Sequence, residues 1–152
     1  MFDSHFFSIQ ASSMTARDGN VHAPDLSPGE IRFSAPAEFG GTPGRWTPEH
    51  FLLSAVASCF VATFEAVAKA SDFEFARLDV VAEGIVQKID GRLEFSSVTV
   101  NPTLTIEAEE DRDLAAKLLN KTEHSCIVAN SLSTPVAFAP QIAMSKMSRV
   151  GS

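Results

Sequence analysis

A chain of 152 residues with 45% hydrophobic content and 12 phenylalanines has the length of one domain and enough apolar mass for an ordinary core. Its formal net charge of −7 and its 12 scattered lysines and arginines leave no basic stripe, which excludes nucleic acid as an expected partner. The N-terminal MFDSHFFSIQ lacks the basic and apolar regions of a secretory signal. The apolar run from Phe51 to Phe64, broken by Ser54, Ser58 and Thr63, is shorter than a membrane span, so the expectation is a soluble, cytoplasmic protein with no membrane partner.

Residues 3 to 13 alternate loosely around Phe7, Ile9 and Ala11 and run into Arg17-Asp18-Gly19-Asn20, which reads as the turn of a hairpin. A short strand is predicted at Glu30 to Ser34. The stretch from Ala35 to Arg45 is a loop, whose tandem Gly40 and Gly41 point to a sharp turn or a close backbone approach. Thr47 followed by Pro48 marks the start of a helix, because threonine caps well and proline is at no disadvantage in the first helical position. That helix runs to about Ala70 and is apolar on nearly every face, so a partner subunit is expected to help cover it. Strands follow at Arg77 to Ile89 and Leu93 to Ile106, joined by an Asp90-Gly91 turn. A second helix is predicted from about Glu110 through Glu123, with Leu114, Leu118 and Thr122 in a stripe leading to Cys126. A last strand lies around Val136 to Ile142. The pattern describes an α+β fold in one domain over residues 1–143, with a disordered tail over 144–152.

Only two cysteines are present, Cys59 inside the first helix and Cys126 at the end of the second. At 67 positions apart they form neither a CxxC redox loop nor a zinc knuckle, and they can meet only through tertiary structure. A permanent disulfide is unusual in a reducing compartment, which tilts the pair toward reactivity; the bland reading is two inert, buried thiols. His5, His22, His50 and His124 are too dispersed for a metal set, and read as surface or packing residues.

The order Arg17-Asp18-Gly19, Gly40-Gly41, Trp46-Thr47-Pro48-Glu49-His50, Ala57-Ser58-Cys59-Phe60, His124-Ser125-Cys126 and Asn130-Ser131 resembles the OsmC/Ohr family of small thiol-dependent hydroperoxide reductases, and covers most of the chain. The resemblance implies an intertwined α+β homodimer with antiparallel sheets around two central helices per subunit. It implies a peroxidatic Cys59, a resolving Cys126, and Arg17 and Glu49 in the same catalytic site, with no metal and no bound organic cofactor. It also implies an organic or lipid hydroperoxide as substrate and a dithiol or a lipoylated protein as reductant. Two positions depart from the family pattern: Ile127 stands where a proline usually follows the second cysteine, and His50 where glutamine or glutamate often follows Pro-Glu.

The chemistry needs these residue types. A thiolate attacks the peroxide O–O bond, and a cysteine of ordinary pKa, about 8.5, is only slightly ionised at neutral pH. A nearby arginine lowers that pKa, and a carboxylate holds the guanidinium at the right angle. Glu49 and Cys59 are ten positions apart, about 15 Å along a straight helix at roughly 1.5 Å per residue. If both serve one site, Glu49 and its partner Arg17 come from the second subunit, or the helix breaks. Phe51, Leu52, Val56, Phe60 and Phe64 surround Cys59 in sequence and favour an alkyl hydroperoxide over hydrogen peroxide. The alternatives are a non-catalytic module binding a hydrophobic ligand and a redox sensor on the same fold.

Overall fold

The computed structural model describes residues 4–14, 17–24 and 26–146. The chain divides into two compact units, Met1–Leu52 and Leu53–Ser152. In the first, strands β1 (Gln10–Ser13), β2 (Asp18–His22) and β3 (Glu30–Ser34) form an antiparallel sheet in that order. Ser13 pairs with Gly19, so Asp18 and Gly19 are the first residues of β2 and not a hairpin turn. The Asp18 side chain has a different task. Its carboxylate accepts from Thr42 Oγ1 at 2.7 Å and lies 3.8 Å from Arg45 Nε, which ties the loop after β3 back onto β2. Hydrogen bonding from Thr42 and Ser34, helped by Arg45 and Arg32 and outweighing burial, holds that carboxyl below the usual carboxylate range.

The tandem glycines do both of the things expected of them. Gly40 turns the chain at φ 86°, while a Cβ on Gly41 would collide with the Ala35 carbonyl oxygen. Helix α1 (Pro48–Ala70) then starts where the Thr-Pro pair places it: Thr47 O accepts the first helical bond, from Phe51 N, at 3.1 Å.

In the second unit the core forms where three elements meet. The α1 residues Val56, Phe60, Phe64, Val67 and Ala68 recur at helical spacing and are buried. They cluster with Val100, Leu104 and Ile106, which alternate along β5 (Arg92–Ile106), and with Ala115, Leu118 and Leu119 of α2 (Arg112–Ser125). Strand β4 (Arg77–Ile89) pairs antiparallel with β5 through the Asp90-Gly91 turn, where both residues have positive φ, 50° and 83°. The α2 stripe differs from the expected one. Leu118 and Thr122 face the core as expected, but Leu114 is exposed, and Ala115 and Leu119 are buried in its stead.

The expected last strand is two. β6 (Val136–Phe138) and β7 (Gln141–Met144) both lie parallel to β5, interrupted at Ala139-Pro140, so this sheet is mixed and not purely antiparallel. β7 reaches Met144, and Ser145 N donates to Ile106 O at 2.8 Å; residues 147–152 of the expected tail lie outside the described residues. α1 extends well beyond the short apolar run it contains. Its 23 residues are long and apolar enough to cross a membrane by length and composition, yet only 28% of its most apolar stretch is buried within the chain. One face of the helix is core, and the remainder is under-covered.

Phe60 is fully buried, 5.8 Å from the Phe138 ring, and joins α1 to β6. Phe60→Ala is expected to destabilise the protein by about 3–5 kcal/mol in denaturant unfolding, a large share of the total stability of a domain this size.

Candidate functional site

Cys59 is half-buried on α1, beside the core face. Cys126 is fully buried between α2 and α3 (Ile127–Asn130), at φ −71° and ψ 104°, where it ends one helix and begins the next. The bend is held by side chains on either side of it. Asn130 Nδ2 donates to His124 O at 3.0 Å, Asn130 N to Cys126 O at 2.9 Å, and Ser131 Oγ to Ile127 O at 2.8 Å. Both thiols are free, and the fold makes them neighbours that shift each other's ionisation.

Their environments differ. Burial pushes the Cys59 thiol up, but the Val128 amide, the Cys126 thiol, the Thr63 hydroxyl and the Ile127 amide donate to it and together leave it below the ordinary thiol value. Thr63 Oγ1 stands 3.8 Å from Cys59 Sγ, one turn further along α1. Burial raises Cys126, the Ala129 amide opposes it, and the neighbouring Cys59 adds to the rise against a smaller opposing effect of the Val128 amide. One thiol is therefore disposed to ionise and the other to keep its proton and share it. Ile127 matters here: a proline at that position would have no N–H to offer the Cys59 sulfur.

Arg17 and Glu49 belong to the first unit. Arg17 lines a cavity of about 420 Å³ with Ser12, Asp18, Phe33 and Pro48. Its main chain is pinned, because Ser34 Oγ and Ala35 N both donate to Arg17 O at 3.2 Å. Glu49 lines a separate cavity of about 320 Å³ with Glu38, Arg45, Thr47 and His50. Its Oε1 is buried and has no hydrogen-bond partner among the described residues. The expected Arg17–Glu49 ion pair is not formed among the described residues; the cation nearest to an acid here is Arg45, on Asp18. α1 is unbroken from Pro48 to Ala70, so the alternative of a broken helix falls away.

The sequence pattern of the OsmC-like protein family matches residues 41–140. The chain belongs to that family. It is 30% identical over 138 residues to the uncharacterized protein YmaD of Bacillus subtilis (strain 168), covering 87% of this chain and 89% of that one. Its fold is similar to that of an OsmC-like protein from Vibrio cholerae O1 biovar eltor, with TM-score 0.78, 17% identity, and 90% and 99% of the two chains covered. It is also similar to the organic hydroperoxide resistance protein OhrB of Bacillus subtilis, with TM-score 0.64, 21% identity, and 90% and 98% covered.

Within this OsmC-like chain, two site neighbours escaped the sequence reading. Thr63 was legible in principle, since it stands four positions after Cys59 and helix residues so spaced are neighbours. The α3 amides were not, because they reach Cys59 only through the bend at Cys126. The apolar surroundings of Cys59 also need correction. Val56, Phe60 and Phe64 are fully buried in the core and cannot face a substrate, since successive residues on a helix point about 100° apart. Among the described residues, no three His, Cys, Asp or Glu side chains converge as a metal would need.

Alkylation with iodoacetamide follows the thiolate fraction. Cys59 is expected to react at lower pH than Cys126 in a pH series read by peptide mass spectrometry. Thr63→Val, which removes a donor to the thiolate, is expected to move the Cys59 profile to higher pH.

Proposed function

We propose that this protein is a thiol-dependent peroxidase that reduces organic hydroperoxides in a reducing compartment such as the cytoplasm. The observation that carries the reading is the asymmetric dithiol: a half-buried Cys59 with lowered pKa beside a buried Cys126 with raised pKa. The organic class of substrate is supported by the family relation and by the likeness to an organic hydroperoxide resistance protein.

In the proposed cycle the Cys59 thiolate attacks the outer oxygen of the hydroperoxide. The O–O bond breaks, an S–O bond forms, and the alkoxide leaves as an alcohol on taking a proton, which the Cys126 thiol is placed to share. Cys59 is then a sulfenic acid, oxidised by two electrons. The Cys126 sulfur attacks it, an S–S bond forms, and the sulfenic oxygen leaves as water. An external dithiol, free or carried on a lipoylated protein, reduces the disulfide by thiol exchange and returns both thiols.

Arg17 and Glu49 take part, in this reading, through a second copy of the chain. The continuous α1 carries Glu49 in its first turn, ten residues before Cys59, and the Glu49 oxygen is left unpaired. The under-covered α1 and the exposed far end of the β4–β5 ribbon, with Ile85 56% and Leu93 59% exposed beyond a bulge at Ile85/Val86, are apolar surfaces of the kind a homodimer buries.

Consumption of cumene or tert-butyl hydroperoxide with dithiothreitol or dihydrolipoamide tests the chemistry. Cys59→Ser is expected to abolish turnover, and Cys126→Ser to stop after one equivalent. One equivalent of peroxide should yield a wild-type disulfide two hydrogens lighter. A wild type that turns over with neither dithiol favours a binding module and overturns the peroxidase. Sedimentation equilibrium is expected to show a dimer, and Ile85→Asp with Leu93→Asp to dissociate it and lower kcat/KM at least tenfold. A monomeric variant with full turnover would remove the second copy from the site.

A further inference from the structure

The first turn of α1 holds an unusual cap. In the common arrangement a threonine N-cap accepts from the amide three residues on, and a glutamate or glutamine at that position reaches back to the threonine amide. Here the third residue is His50. His50 N donates to Thr47 Oγ1 at 3.3 Å, and Thr47 N donates to His50 Nδ1 at 3.1 Å. Since an amide N–H can only donate, Nδ1 is the acceptor and the ring proton sits on Nε2. The 2.7 Å contact between Thr47 Oγ1 and Nδ1 then has the hydroxyl as donor.

The identity of the capping residue has a chemical consequence. A glutamine or glutamate oxygen sits at the end of a flexible chain, whereas Nδ1 is carried on a rigid ring that contacts both the amide and the hydroxyl of Thr47. Glu38 from the short helical turn Ala37–Phe39, Arg45 from the loop and Glu49 from the same turn line the cavity with the imidazole, and the Trp46 ring stands 6.2 Å from it. Arg45 already neighbours Asp18. Glu49 lies between the two capping residues, so its position follows the state of the cap.

We propose that His50 is a positioning residue whose imidazole closes the cap of α1 and fixes the turn that carries Glu49. The cap stands on the hydrogen-bond geometry alone; its effect on turnover rests on the peroxidase reading above.

Thermal unfolding of wild type, His50→Gln and His50→Ala at neutral pH tests the cap. His50→Gln should unfold with wild type and His50→Ala a few degrees lower. An alanine variant as stable as wild type overturns the cap. With tert-butyl hydroperoxide, His50→Ala should lose about tenfold in kcat and His50→Gln should retain it. An alanine variant with lost stability and full kcat overturns the positioning of Glu49. A wild type without any turnover ends the peroxidase reading, and the unfolding series then decides the His50 proposal by itself.

Discussion

Cys59 and Phe60 are consecutive on α1, and the site depends on the angle between them. Phe60 enters the core with Val56 and Phe64, and its burial sets the rotation of the helix about its own axis. With that rotation set, Cys59 is held off the core face, half-buried, beside the bend where α2 gives way to α3. A slip of one residue would send the thiol into the core and Ser58 to the bend, or Phe60 to the bend and the thiol to the exposed position of Ser58. Packing against β5 and α2 thus does chemical work at one remove: it aims a sulfur.

The bend at Cys126 completes the arrangement. The resemblance landmarks around it, His124 and Asn130-Ser131, are the residues whose hydrogen bonds hold the turn. Ile127 and Val128 start α3 there, and their amides converge on Cys59 with the Cys126 thiol and the Thr63 hydroxyl. A thiolate so placed finds several neutral donors within one unit of the chain. The departure from proline at position 127 is therefore chemically meaningful, since it supplies one of those donors.

Local rules made much of the fold legible. Thr47-Pro48, Asp90-Gly91 and Gly40-Gly41 each act through the backbone of a few adjacent residues, and each does in the structure what its chemistry dictates. The readings that failed depended on distant partners. Asp18-Gly19 looks like a turn but is drawn into β2, where Asp18 holds a loop 24 residues away. Leu114 fits a helical stripe, yet α2 is rotated so that Ala115 and Leu119 meet the core. His50 is the surface residue it reads as, and its capping role shows only when Thr47 is seen to answer it.

From the sequence alone came the two thiols, their family-like flanks, the α+β order of elements and a first helix apolar on nearly every face. Each follows from composition or from neighbours within a few positions, where propensity and periodicity act. Only the tertiary structure brought Cys59 to Cys126, made one thiol acidic relative to the other, and left Glu49 Oε1 buried without a partner among the described residues. Those outcomes are set by which faces of α1, α2 and β5 pack together, and the electrostatics of a thiol depend on the donors that packing places around it rather than on its place in the chain.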